Sequence, residues 1–475
     1  MSFNTFTFVV FAAVFYSVFP FVARRRQLLY AFVVVSSFVF YGWWDARYLA
    51  LLVLTGLIDY AAALCMVRWP AARRGIFIAS VTSNLSILVL FKYSRFVADN
   101  IDALSRTVGI SLSVSSHLPA LFAVLPVGIS FYTFHSLSYT IDVYRGRLMP
   151  TPNPLKFFAF LSLFPPLVAG PILRAAEFLP QLDRRPEVTS QQVRDGTILV
   201  VMGYFKKTVL ADNLAPFVDA AFGAPLIHTS PVYWWLIASL FAVQIFCDFS
   251  GYSDIARGLS KWMGYELTLN FDRPYESTSL RDFWTRWHIS LSTWFRDYIY
   301  LPLGGSKRGA GTAHRNLWFT MLLSGFWHGA GWTYLAWGAY HAALISIERL
   351  TAWPEKLARS VAGRIATRVL VLALVWVGWI LFRAQSISQA GQIIATMFSW
   401  RPLTWDFFPD RIGLVPLIVL ATTAVWVLVG RGAMRWAETA TPRVVLWLEP
   451  PLVAVLALCC VYLRGPGKQF IYFQF

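Results

Sequence analysis

Charge is what this chain has least of. Charged residues make up 14% of its 475 positions, where a soluble domain carries about 25%. With 57% of residues hydrophobic, that shortage excludes a soluble globular enzyme and leaves an all-α polytopic membrane protein as the class. Acidic residues are the scarcer sign, 24 Asp and Glu against 41 Lys and Arg, for a net charge of +17. No RNA- or DNA-binding motif accompanies the excess, so nucleic acid is not an expected partner, and basic cytoplasmic loops explain it more simply. Cysteine is rare as well. Cys65, Cys247, Cys459 and Cys460 lie in apolar surroundings, two of them adjacent, and make no disulfide framework. There is no HExxH and no His/Cys pair at ligand spacing, so no metal is expected. A repeat of about 20–50 residues, a low-complexity tract and a soluble domain of useful size are missing too, which points to one integrated membrane domain over 1–475.

What is present is long apolar sequence. Residues 2–23 carry no charge before Ala23 gives way to Arg24-Arg25-Arg26. A basic cluster after the apolar stretch is the reverse of a cleavable signal, and positive-inside logic then places Met1 on the periplasmic side. Spans at 27–44 and 48–67 agree, with Arg68, Arg73 and Arg74 following the second. Further apolar segments fall at 76–92, 118–134, 157–169, 197–210, 232–246, 317–347, 369–382, 414–429 and 452–463. Several are shorter than the roughly 20 residues of a straight span. The interrupted ones gather between 118 and 337, where broken helices line a cavity or are buried in protein. The chain therefore divides into N-terminal spans (1–97), a central polar-bearing core (118–350) and C-terminal spans (366–475).

The stretch 317–347 reads LWFTMLLSGFWHGAGWTYLAWGAYHAALISI. It is apolar enough for bilayer, yet His328 stands at its centre between Trp327 and Trp332. Imidazole at membrane depth is costly and marks a functional site, against the plainer reading of a histidine bonded to a neighbouring helix. His341 lies thirteen residues on, about 140° round an unbroken helix, and so falls outside the set.

Two other clusters carry polar groups. Residues 279–300 fit one amphipathic helix, capped by Ser279 with Asp282 three residues on, and carrying Arg281, Arg286, Trp287, His288 and Arg296. Arg281 and Arg296 suit lipid headgroups; His288, between apolar neighbours, does not. Asp248 and Asp254 close an apolar run with Ser250, Tyr252 and Ser253 between them. Carboxylates there need partners, and Arg257 and Arg286 are the candidates; a structural ion pair competes with catalysis. The proline-broken FPPLVAGPI, at 164–172, shapes a passage and carries no chemistry.

PVGISFYTFHSLSYTIDVYRG, FPPLVAGPI, CDFSGYSDIARG, NFDRPYESTSLRDFWTRWHISLSTWFRDYIYLPLGG, LSGFWHGAGWTYLAWGAYH and the terminal FIYFQF together resemble the membrane-bound O-acyltransferase family. Within it, the bacterial polysaccharide branch that acetylates alginate is the nearest in pattern. The long RWHISLSTWFRDYIYLPLGG match is the specific one. The resemblance implies a ring of transmembrane helices round a thin centre with a tunnel. It places the signature histidine at His328 and the second at His288. Asp248, Tyr252, Ser253, Asp254, Arg286, Trp287, Asn316, Trp327 and Trp332 are the further candidates, as tunnel or structural residues.

Thioester acyl transfer needs a base for the incoming hydroxyl and an acid for the leaving thiolate, and histidine serves as both near neutrality. No serine nucleophile elbow occurs. The expected activity is O-acetyl transfer from a cytoplasmic thioester, acetyl-CoA, toward a secreted polysaccharide, with no resident cofactor. Membrane lipid and periplasmic or membrane-anchored acetyl-accepting proteins are the expected partners, and the bacterial inner membrane the location. Acetylation of cellulose or peptidoglycan and D-alanyl transfer to teichoic acid are the alternatives within the family. A transporter with a His288–Asp248–Asp254 proton relay is the alternative outside it, although no inverted repeat is visible.

Overall fold

The computed structural model describes residues 1–119, 122, 125–225, 227–400, 416–418, 420–421 and 442–471. The expected span at 414–429 and the last four residues of FIYFQF lie largely outside them. Among the described residues the chain is helical throughout, with no strand. Four helices are long and apolar enough to cross a membrane, Ala46–Arg68, Pro70–Lys92, Pro231–Lys261 and Val361–Arg383, and Phe6–Val22, Arg26–Gly42 and Trp447–Tyr462 are shorter apolar helices. Phe6, Val14 and Phe21 on the first helix and Val361, Ile365 and Val369 on another are more than half exposed. Apolar surface left outward in this way belongs against lipid.

The helices pack as two compact units. The first comprises Met1–Thr197 with Ala256–Thr268, the second Ile198–Ile255 with Leu269–Phe475. In the first, Phe164 sits in an aromatic cluster with Phe11, Phe15 and Phe40, ring centroids 5.1–5.4 Å away. The FPPL segment thus forms one short helical turn, Phe164–Leu167, fully buried. The second unit carries the central motifs.

Three expectations for that unit are corrected. The run 232–246 is not a short span: it begins a 31-residue helix, Pro231–Lys261, with CDFSGYSD in its interior. Residues 317–347 are not one run but two helices, Ala310–His328 and Trp332–Thr351, with Gly329 and Gly331 extended between them. Gly325 and Gly338 let the two helices touch: a Cβ on Gly338 would meet the Met321 carbonyl at 2.5 Å, and one on Gly325 the Tyr334 carbonyl at 2.3 Å. The stretch 279–300 is likewise broken, into Leu280–Arg286, Ile289–Phe295 and a π-type turn at Arg296–Tyr300. Ser279 does cap its start, accepting from the Asp282 amide at 2.9 Å. The Asp282 carboxylate returns to the Thr278 amide at 3.3 Å, one residue short of a regular capping box. Periodicity alone did not reveal the break, because apolar spacing continues through it while the backbone turns.

Candidate active site

The break is made at His288. Its backbone is left-handed, φ 45° and ψ 54°, a conformation that costs a bulky residue of order 1–3 kcal/mol unless its surroundings impose it. Asn270 imposes it. Its carbonyl accepts from the Ile289 amide at 2.9 Å, and its side-chain oxygen accepts from the Ser290 amide and hydroxyl at 3.2 and 2.9 Å. Its amide nitrogen donates to Ser253 Oγ at 3.1 Å, and the residue is wholly buried. Reasoning from the sequence overlooked Asn270. The signal available was an Asn two positions before Asp272-Arg273-Pro274, in a segment with no apolar period to place it.

The turned backbone drives the His288 ring inward. It lies 6.3 Å, centroid to centroid, from the ring of His328, which ends the Ala310–His328 helix. Both residues are buried, at 0% and 4% exposure. Trp327 lies 6.2 Å from the His288 ring and 5.0 Å from His328. Phe249 meets His288 edge-on at 4.6 Å; Trp337 and Phe382 meet His328 at 5.2 and 5.4 Å. Trp287 packs against Phe283 and Trp379, ring centroids 5.6 and 4.8 Å away, and holds the turn in place.

The expected indole sandwich on His328 is half right. Trp332 is 58% exposed at the start of the following helix, and Trp337 supplies the second indole instead. Because the helix is broken, the angular argument about His341 loses its premise. Packing still separates it from His328: the Trp337 ring touches both, 4.9 Å from His341 and 5.2 Å from His328.

Lysines stand beside both carboxylates, and Arg286, one of the two arginines expected there, is held elsewhere. Lys207 Nζ pairs with Asp248 at 2.6 Å and with Asp212 at 2.7 Å, and Lys206 pairs with Asp254 at 2.6 Å. Arg286 is engaged by Asp282 at 2.7 Å and by Asp272 at 3.9 Å. The lysines come from a π-type turn, Phe205–Ala211, set beside the long helix where Gly203 and Gly251 meet; a Cβ on Gly203 would lie 2.5 Å from the Gly251 carbonyl. The Ile471 amide donates to Asp248 at 2.7 Å, and the Phe470 ring packs on Tyr252 at 4.6 Å and near Phe249 at 6.1 Å. Asp248 and Tyr252 therefore anchor the C-terminal segment behind the ring that touches His288. Ser253 serves Asn270. Asn316 donates to the Leu303 and Gly305 carbonyls, both at 3.1 Å, and fixes the LPLGG loop.

A cavity of roughly 500 Å³ opens beside this centre, lined among others by Arg281, Arg296, Glu348, Met321, Ser324 and Trp284. Ser324 is one turn before His328 on the same helix, and the Trp284 ring lies 5.5 Å from that of Trp337. The cavity thus ends one indole away from the histidine pair. No group of three His, Cys, Asp or Glu side chains able to hold a metal occurs among the described residues.

Buried paired imidazoles within an aromatic wall, beside a cavity with a charged mouth, are the setting that acyl transfer needs. The profile of the membrane-bound O-acyltransferase family matches residues 38–353. The chain belongs to that family. It is 40% identical over 385 residues to the probable alginate O-acetylase AlgI of Azotobacter vinelandii, covering 80% of this chain and 74% of the relative. It is 31% identical over 393 residues to the peptidoglycan O-acetyltransferase of Helicobacter pylori, covering 77% and 73%. The teichoic acid D-alanyltransferase of Streptococcus thermophilus is 30% identical over 248 residues, covering 48% and 58%. The protein is a multi-pass membrane O-acetyltransferase of this family, and the transporter reading falls away.

Proposed function

We propose that the protein takes an acetyl group from a cytoplasmic thioester, acetyl-CoA, and passes it across the bacterial inner membrane for O-acetylation of a secreted polysaccharide of the alginate type. The His288–His328 pair carries this reading. His328 Nε2 or Nδ1 removes the proton of the incoming hydroxyl as its oxygen bonds the acyl carbon; the carbon–sulfur bond breaks, and the same imidazolium returns the proton to the leaving thiolate. A single group that takes and then gives one proton needs no covalent enzyme intermediate. Relay through the hydroxyl of a periplasmic or membrane-anchored partner uses the same chemistry. His288, in ring contact range, orients the pair and supports charge on His328.

The cavity between Arg281, Arg296 and Trp284 is the donor's way in, and the two units act as one integrated catalytic domain with the N-terminus on the periplasmic side. Acetylation of peptidoglycan is the second reading, favoured by the relative of that name that matches three quarters of this chain. D-alanyl transfer ranks lower, since its relative matches under half. Deleting the gene and analysing ester acetyl groups by NMR separates them. The expected result is loss from a secreted uronate polymer with the cell-wall glycan unchanged; the reverse would overturn the polymer assignment.

A further inference from the structure

The first unit holds a cavity that acyl transfer does not use. Roughly 270 Å³ in volume, it lies at the end of the first apolar helix, Phe6–Val22, where the chain turns basic. Tyr16, Phe19, Arg24, Arg185, Pro186 and Trp262 are among its lining residues, drawn from stretches far apart in sequence. Its aromatic wall is fixed. The Trp262 ring meets Tyr16 edge-on at 5.3 Å, and a Cβ on Gly196 would lie 2.6 Å from Trp262 Cδ1, so the indole fills the room that glycine leaves. Trp262 Nε1 donates to the Val193 carbonyl at 3.2 Å, and the Tyr16 hydroxyl donates to the Leu259 carbonyl at 2.7 Å.

Two features suit this cavity to an anion with an apolar tail. The first is charge. Arg24 and Arg185 are exposed, and among the described residues neither makes an ion pair or a side-chain hydrogen bond. No Asp or Glu lines the cavity; of those nearest Arg185 in sequence, Asp183 pairs with Lys156 at 2.6 Å and Glu187 lies outside the wall. Both aromatic donors are spent on backbone carbonyls, so the arginines are the side-chain donors left for a ligand. The second feature is an apolar track leading away from the cavity. Val9, Ala13, Tyr16 and Pro20 recur at helical spacing on one face of the first helix, and Val9, Ala13 and Pro20 are exposed.

We propose that the cavity binds the headgroup of an anionic phospholipid of the phosphatidylglycerol class, its phosphate on Arg24 and Arg185 and an acyl chain along the Val9–Pro20 face. Guanidinium groups match phosphate oxygens bidentately, and basic pockets between helices at headgroup depth take such lipids. A zwitterionic lipid brings an ammonium group for which the wall holds no carboxylate. Free phosphate offers the same oxygens but leaves Phe19, Trp262 and the apolar track uncovered. The site lies wholly in the first unit and does not rest on the acyl-transfer reading.

The test is thermal unfolding of the delipidated full chain in a neutral detergent, with phosphatidylglycerol, phosphatidylethanolamine or inorganic phosphate added at constant ionic strength and pH. Wild type should gain about 1–3 °C with phosphatidylglycerol, saturably, as a ligand of the folded state does, and neither of the others should match it. Arg24→Gln with Arg185→Gln should raise the half-saturating lipid fraction by roughly tenfold or more. Its midpoint without lipid should stay at the wild-type value, since both side chains are exposed and unpaired. Arg25→Gln with Arg184→Gln removes equal charge from exposed residues outside the wall and should leave the response near that of wild type. No gain with phosphatidylglycerol would overturn the proposal, as would an equal gain with phosphatidylethanolamine or phosphate. Equal losses in the two double variants would reveal diffuse charge attraction and overturn it too. Should the delipidated chain not stay folded, lipid retained through purification and counted by mass spectrometry supplies the same comparison.

Discussion

His328, His288 and Asn270 do different work, and substitutions should tell them apart. His328→Ala removes the only proposed proton carrier and should lower acetyl transfer by about 10²–10⁴-fold while the protein stays folded in the membrane. Polymer acetylation at matched protein level is the measurement; near-normal acetylation would end the assignment. His288 has two duties, its ring and its left-handed backbone. Asn enters that conformation more easily than Gln, so His288→Asn should fold better than His288→Gln and yet lose comparable activity. Full activity in His288→Gln at saturating donor would rule out a chemical role. Asn270→Ala removes three side-chain hydrogen bonds, two with Ser290 of the turn and one with Ser253, and leaves the buried Ser290 amide unmatched, a cost of about 1–3 kcal/mol. Its thermal midpoint should therefore fall together with its activity. Trp332, exposed, should tolerate alanine, whereas Trp337, wedged against His328, should not.

Among elements, the lysine-bearing turn and the long helix it faces make the sharpest case. Lys207 is buried between Asp212 and Asp248. Lys207→Met leaves two buried carboxylates without a counter-charge, and breaking such a pair costs about 3–5 kcal/mol. Lys207→Met combined with Asp248→Asn should recover part of that loss in membrane abundance and thermal midpoint. Recovery of stability without recovery of turnover would move Asp248 into the chemical step. The Ala310–His328 and Trp332–Thr351 pair depends instead on glycine. Gly338→Ala puts a methyl against the Met321 carbonyl and must spread the helices. A loss of about 1–3 kcal/mol is expected for such overpacking, with acetylation reduced because His328 sits two turns beyond Met321. Unchanged melting in Gly338→Ala would show that this contact is looser than its geometry implies.

For the whole molecule, the testable property is sidedness. On the proposed topology the basic segments Arg24–Arg26 and Lys307-Arg308 face the cytoplasm, as the positive-inside rule expects, and the proposed acceptor is secreted. Oriented proteoliposomes given labelled acetyl-CoA on the loop side, with a partner acceptor on the other, should place label on the far side. Label that reaches only an acceptor on the donor's own side would refute transmembrane delivery, and His328→Ala proteoliposomes supply the blank.

The sequence by itself determined the class and the family, and it singled out the two histidines on which the proposal rests. Scarce charge and long apolar runs are properties of composition, and RWHISLSTWF and FWHGAGW are contiguous strings that no folding step has to assemble. Helix existence was equally legible wherever an apolar run continued without interruption. What the tertiary structure decided were the distances across the chain. Residues 288 and 328 meet because Asn270 forces a left-handed turn, a local strain that leaves no trace in hydrophobic period. Lys207 rather than an arginine reaches Asp248 because Gly203 and Gly251 let two backbones touch, and charge pairing through space cannot be read from linear order. The exposed side of Trp332 and the wall formed by Trp337 were settled by two extended glycines, which redirect the second helix. The cluster at Asp59 is the extreme case: polar side chains from two other helices, Ser80 and Asn84 on one and Ser136 on the other, reach its buried carboxyl only because packing brings them to one point.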